Sequence, residues 1–153
     1  MSHALIVYTS LTGNTEKCVQ IVQNSLEKCG IQVKSLESVF ADPQDFLDAD
    51  ICLVGTYTYG IDGALPDEMV DFYEELAEVD LSGKIFGTFG SGDLFYGEYY
   101  CKSVDDFTDQ FLETGAVQGA KSVKIDLDPE KEDTEALTRF AETLVRTLND
   151  QNN

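Results

Sequence analysis

The strongest constraint on the fold of this chain is a pair of apolar runs, Ala4–Tyr8 (ALIVY) and Asp50–Gly55 (DICLVG), in which polar and apolar residues do not alternate. A strand with one wet face alternates with a period of two. A strand covered on both faces does not, and it belongs in a parallel sheet between layers of helix. The intervening segments have the complementary pattern. Residues 14–29 place Cys18, Val22, Leu26 and Cys29 at helical spacing, with Gly30 as the stop. Ile31–Leu36 alternates, as an outer strand should. Leu65-Pro66 opens a helix with Met69, Phe72, Tyr73 and Leu76 on one face, Pro66 suiting the first turn. Lys84–Phe89 reads as a strand, and Tyr100, Val104, Phe107 and Phe111 as a helix ending near Gly115. A fifth strand falls within 117–127, and Pro129 introduces a last helix carrying Leu137, Phe140, Leu144 and Leu148. The order β-α-β-β-α-β-α-β-α predicts an α/β protein: a three-layer α/β/α sandwich around a five-stranded parallel sheet, with 1–153 as a single domain. Right-handed crossovers leave few strand orders open.

Composition narrows the function. The chain has 153 residues, 42% of them hydrophobic, enough for one core. It contains no run of eighteen apolar residues, so no membrane span is expected. The start, Met1-Ser2-His3-Ala4, lacks a basic segment and a cleavage site, so the expectation is no signal peptide and a cytoplasmic protein. Cys18, Cys29, Cys52 and Cys101 are scattered, form no C-x-x-C pair and are joined by one histidine, His3. They read as reduced, mostly buried thiols and not as metal ligands, and His3 as a surface residue. The formal charge is −19, from 29 acids and 10 bases. From Asp62 to Glu113 there are 14 acids against only Lys84 and Lys102. Such a surface repels nucleic acid and anionic membranes and suits docking to a basic protein face.

In a sheet of this kind, ligands bind beyond the C-terminal ends of the strands. The unusual residues sit there, in the segments after strands one, three and four. The first reads Ser10-Leu11-Thr12-Gly13-Asn14-Thr15 and leads into a helix. A helix start offers unpaired N–H groups and a partial positive charge, hydroxyls add donors, and Gly13 permits close approach. An ordinary N-capped polar turn uses the same residue types. No lysine follows the glycine, which excludes the loop that binds nucleoside triphosphates, and there is no G-x-G-x-x-G. The second segment is Gly55-Thr56-Tyr57-Thr58-Tyr59-Gly60, and the third runs from Gly90-Ser91-Gly92-Asp93 to Phe95-Tyr96-Gly97-Glu98-Tyr99-Tyr100. Five of the seven tyrosines lie in these two glycine-rich segments, where a flat apolar ring between them would account for their presence. Aromatic stacking contributes about 0.5–1.5 kcal/mol per pair beyond area burial.

The string Tyr8-Thr9-Ser10-Leu11-Thr12-Gly13-Asn14-Thr15-Glu16 resembles the phosphate-loop signature of the flavodoxin family, an aromatic followed by S/T-x-T-G-N-T. Gly55–Gly60 resembles the family's G-x-x-T-[WY]-G, and Phe89–Tyr96 its F-G-x-G-D-x-x-Y. The resemblance covers the whole chain, and its length fits the short-chain class, because no insertion interrupts strand five. It implies strand order 2-1-3-4-5 and one non-covalently bound flavin mononucleotide (FMN). The implied function is low-potential one-electron transfer through oxidised, semiquinone and hydroquinone flavin. By the same resemblance, the side chains of Ser10, Thr12, Asn14 and Thr15, with the N–H groups of 11–15 (Leu11 and Gly13 included), would hold the phosphate. Thr56, Tyr57 and Thr58 lead to Tyr59, the inner stacking ring. Tyr96 is the outer ring, with Phe95 and Tyr99 as alternatives. The N–H groups of Ser91, Gly92 and Asp93 would meet the pyrimidine edge. The Gly60 peptide is expected to turn its carbonyl toward flavin N5 on reduction, which glycine makes cheap. Acids near the site are expected to lower the potential of the second electron.

The implied partners are redox proteins with basic docking faces, for example a flavodoxin reductase, and the implied state is a monomer with no catalytic residues. Other readings fit less well. A receiver domain would need an acidic pair, an Asp and a Lys where Ser10, Thr56 and Ser91 stand. A flavin-dependent quinone reductase would be longer and would bind a nicotinamide. An activator of a metalloenzyme would differ mainly in partner, and a cofactor-free acidic module would be colourless.

Overall fold

The computed structural model describes residues 2–10, 13–58, 65–94, 97 and 100–152. The two unalternating runs form β1 (His3–Tyr8) and β3 (Ile51–Tyr57), the buried centre of the sheet. Ala4 and Ile6 of β1 and Ile51 and Leu53 of β3 face one core, while Leu5, Val7, Cys52 and Val54 face the other. Burial on both faces explains the missing alternation. Between these strands come α1 (Asn14–Lys28) and the edge strand β2 (Gln32–Glu37). Next are α2 (Val70–Leu76), β4 (Ile85–Gly92) and α3 (Lys102–Glu113). The last elements are β5 (Val117–Gln118), β6 (Val123–Asp126) and α4 (Lys131–Asn152). The strands are parallel in the order β2-β1-β3-β4-β5, with β6 also on β4, so the expected 2-1-3-4-5 sheet is present.

The fifth strand is one position in the sheet filled by two pieces. β5 pairs with Ile85 and Phe86, and β6 with Phe89–Gly92. The break begins at Gly119, whose backbone still donates to the Phe86 carbonyl (2.9 Å) and lies so near Ile85 that a Cβ there would sit 2.1 Å from its side chain. A glycine at a close backbone approach marks this kind of interruption.

One core lies under α1 and α4 and is built on Cys18, Val22, Leu26, Phe89, Leu137, Phe140 and Leu144. The other lies under α2 and α3 and is largely aromatic: Phe46, Phe72, Phe86, Phe107 and Phe111, with Phe86 and Phe111 stacked at 4.7 Å. Phe46 comes from a segment that the periodicity did not single out. Pro43–Asp48 forms a 3-10 turn with a capping box, in which Asp42 and Asp45 each accept from the other's end. It covers the sheet where a longer helix could have lain.

Several boundaries differ from expectation. Pro66 precedes a 3-10 turn (Asp67–Met69) in extended conformation and is not inside the helix. Tyr100 lies outside α3, because Cys101 takes a left-handed conformation (φ 52) just before it. Cys29 is exposed at the end of α1, while Cys18, Cys52 and Cys101 are buried. His3 is exposed, as expected.

Candidate functional site

The segments after β1, β3 and β4 emerge at the same end of the parallel sheet, with Tyr8 level with Gly55 and Tyr57 level with Ser91. After β1 the chain turns sharply into α1. Gly13 is the residue that permits the turn: it has φ 91 and occupies the N-cap without giving the helix a side-chain cap. Apart from the chain neighbours of Gly13, no atom of the described residues lies within 4 Å of the position a Cβ on Gly13 would take. The Ser10 hydroxyl accepts from the Gly13 N–H at 3.0 Å and more loosely from the Glu16 N–H at 3.4 Å. Lys17 lies one turn away but pairs with Asp128 (2.8 Å). The polar turn thus works with hydroxyls and a helix start, the donor set that suits a phosphate.

Thr15 is buried (1% exposed), and its Oγ1 lies 2.7 Å from Ser91 Oγ and donates weakly to the Thr56 carbonyl at 3.4 Å. It brings the first segment against the other two. Thr56 is fully buried in β3. Tyr57 ends the strand half-buried, and its phenol donates to Glu68 Oε2 at 3.4 Å. The Thr58 N–H donates to the Ser91 carbonyl (3.3 Å), and Thr58 Oγ1 accepts from the Ser103 N–H (3.0 Å). Of the expected site residues, Ser10, Gly13, Asn14, Thr15, Thr56, Tyr57, Thr58, Ser91, Gly92 and Asp93 are therefore gathered at one end of the sheet. Leu11, Thr12, Tyr59, Gly60 and Tyr96 lie outside the described residues, as do the alternatives Phe95 and Tyr99.

Ser91 and Gly92, expected in a loop, still belong to β4, pairing with Tyr57 on one side and with Ile125 and Asp126 on the other. Gly90 fits only because it has no side chain. A Cβ there would stand 2.0 Å from the Thr56 carbonyl oxygen. Cys101 closes over Gly92, its amide and sulfur near the place a Gly92 Cβ would take. Burial pushes the Cys101 thiol up to about 12, and burial together with Cys101 raises the Tyr100 phenol above its usual range.

The sequence reading did not single out three contributors. Asp126 accepts from the Leu94 N–H at 3.0 Å. Leu127 takes a left-handed φ of 58 and donates its N–H to the Gly92 carbonyl. Ser103 supports Thr58, and its own hydroxyl is buried without a partner among the described residues. Asp126 and Leu127 follow from the strand-end rule applied to the last strand as well. Ser103 had no signal of its own.

A parallel three-layer sheet with a helix start that has no side-chain cap of its own, beside Ser10 and Gly13, defines a mononucleotide-binding α/β protein. Comparison with known proteins specifies it. The flavodoxin family model matches residues 6–140. A "Probable flavodoxin 2" of Bacillus subtilis (strain 168) is 40% identical over 141 residues, covering 92% of each chain. The solved flavodoxin of Streptococcus pneumonia TIGR4 superposes with a TM-score of 0.92 at 53% identity, covering 95% of this chain and 99% of that one. A short-chain flavodoxin associated with a PDU bacterial microcompartment gives a TM-score of 0.94 at 48% identity over 97% and 99% of the two chains. The chain belongs to the flavodoxin family. It is an FMN-binding electron carrier, and the donor set around Gly13 fits the phosphate of that cofactor.

Proposed function

We propose that Ser10, Thr12, Asn14 and Thr15, with the N–H groups of 11–15, hold the FMN phosphate. Tyr59 and Tyr96 hold the ring, approached through Thr56, Tyr57 and Thr58. Ser91, Gly92 and Asp93 meet its pyrimidine edge. The observation that carries this is the helix start at Gly13, which has no side-chain cap of its own and is met by the Ser10 hydroxyl, with Thr15 hydrogen-bonded to Ser91 across 76 residues of sequence. FMN, when bound, supplies the one-electron chemistry. The chain's own part is to bind it, orient it and set its electrostatic surroundings. Among the described residues no group of His, Cys, Asp and Glu could hold a metal, and the gathered side chains contain no nucleophile paired with a base. We therefore read the protein as a carrier with no turnover of its own.

The docking side is acidic. Residues 35–83 contain thirteen acids and no Lys, Arg or His. That supports partners with basic faces, such as a flavodoxin reductase, and a monomeric carrier, because like charge opposes self-association. The free thiols support a reducing, cytoplasmic setting, and 1–153 is read as one flavodoxin-like domain. No described helix is long and apolar enough to cross a membrane.

The test is an anaerobic reductive titration of the purified protein followed by visible absorbance, with NAD(P)H added separately. The expected result is one FMN per chain, stepwise reduction, and no steady NAD(P)H oxidation. A colourless protein that takes up no FMN, or a sustained turnover of NAD(P)H, overturns the reading.

A further inference from the structure

Thr15 and Ser91 form a hydroxyl pair whose protons have few places to go. Each hydroxyl has one proton and two acceptor sites. Thr15 Oγ1 is 2.7 Å from Ser91 Oγ, and among the described residues its other hydrogen-bond neighbour is the Thr56 carbonyl at 3.4 Å. If Thr15 donates to Ser91, its proton is committed inside the protein and it cannot donate to an anion. If Ser91 donates to Thr15, the Thr15 proton is held only by the long contact to Thr56 and is available to an acceptor at the helix start. A donor that is itself accepting a hydrogen bond is also polarised into a stronger donor.

Ser91 is well placed to impose the second arrangement. It is 5% exposed and lies in β4, not in a loop, with its backbone paired to Tyr57 on one side and Ile125 on the other. The neighbouring Gly90 lies so close to Thr56 that a Cβ there would meet the Thr56 carbonyl oxygen at 2.0 Å.

We propose that Ser91 is a positioning residue for the phosphate: its side-chain hydroxyl, acting through Thr15, turns the Thr15 proton toward the anion. This rests on the reading that Thr15 meets the FMN phosphate, and it is separate from the role expected of the Ser91 backbone N–H at the ring. A side-chain substitution leaves that N–H in place.

The experiment compares FMN with riboflavin, which has the same ring and no phosphate, by quenching of flavin fluorescence on the flavin-stripped full chain. Ser91→Ala, which keeps the Thr15 hydroxyl but frees its proton to turn to the Thr56 carbonyl, is expected to weaken FMN about fivefold and riboflavin by less than about twofold, part of one hydrogen bond to a charged group. Ser91→Thr, which restores the hydroxyl, is expected to recover most of the FMN affinity. In a Thr15→Val background, Ser91→Ala should change FMN binding no further. Ser91→Cys keeps the volume with a poorer donor and is read by the same FMN-to-riboflavin ratio if the alanine variant folds badly. Equal losses for both flavins, or no loss for FMN, overturn the proposal. A wild-type chain that binds neither flavin would instead overturn the FMN site itself.

Discussion

Ser38 Oγ donates a 3.0 Å hydrogen bond to the backbone carbonyl of Glu68, joining the turn after β2 to the turn that precedes α2. The bond is buried on the Ser38 side and pins the short 3-10 turn Ser38–Phe40, which is closed by the Ala41 N–H on the Ser38 carbonyl. The two residues that follow Ser38 project outward: Val39 is 62% exposed and Phe40 76%. Phe40 also stands on the rim of a cleft of about 700 Å³ whose wall includes Leu5, Leu36, Asp45 and Asp48. Two adjacent apolar side chains are thus exposed in a stretch that carries no basic residue, and on the docking reading proposed above they would anchor the partner.

Phe40→Ser should therefore weaken binding of a basic flavodoxin reductase about tenfold, the loss of roughly half a buried aromatic side chain. The melting temperature should change little, because the Phe40 side chain is mostly exposed. Calorimetric titration at low and high salt is the check. Unchanged affinity in both salts would show that the partner docks elsewhere.

Gly90 and Gly13 should behave differently when each is changed to alanine. At Gly90 the new methyl meets the Thr56 carbonyl at 2.0 Å, and a backbone atom in a paired strand cannot step aside. The expected loss is about 3 kcal/mol or more, read from urea unfolding. At Gly13 no described residue obstructs the methyl, and only the left-handed φ of 91 is strained, at a cost of about 1 kcal/mol. The reverse order of losses would contradict the close approach of β3 and β4.

The thiols predict a pH profile. Burial pushes Cys18, Cys52 and Cys101 from the ordinary 9.0 up to about 12. Between those values the unfolded chain releases thiol protons that the native protein keeps. Stability is thus fully present below about pH 9 and is lost as pH climbs toward 12. A melting temperature that declines across this window, together with one fast-reacting thiol per folded chain at neutral pH, Cys29, is the expected outcome. Three fast-reacting thiols would show that the buried cysteines are accessible.

The acidic surface should be visible in the redox behaviour. An acid about 12 Å from the flavin, at an effective dielectric of about 60, opposes the added negative charge by about 0.5 kcal/mol before screening. Several acids together reach about 2 kcal/mol, or about 80 mV for one electron. The potential of the second electron should rise by tens of millivolts between low and high salt, an effect on the order of that sum. A salt-independent potential would leave the acids without this role.

The centre of the fold was readable because β1 and β3 are apolar on both faces, a pattern few other structures produce. α1 and α4 were readable because their buried residues recur at helical spacing over three or more turns. The 3-10 turn at Pro43–Asp48 was not, since its burial rests mainly on Phe46 and too few residues are involved to show a period. The end of β4 was misread for the opposite reason. Gly90-Ser91-Gly92 has the composition of a loop, and only pairing on both sides makes it a strand. At the site, the three segments could be found one by one. The contact between Thr15 and Ser91 could not, because it depends on how β1, β3 and β4 stack in register and leaves no mark on local sequence.

β1 precedes both of its sheet partners in the chain, yet the order β2-β1-β3 places it between them. One of its edges pairs with residues 32–37, and the other waits for residues 51–55. Nascent chains shorter than this carry the apolar run Ala4–Val7 with its strand edges unpaired, a form prone to sticking. Assembly of this sheet therefore depends on contacts remote in sequence, which slow folding relative to a helical bundle of the same size.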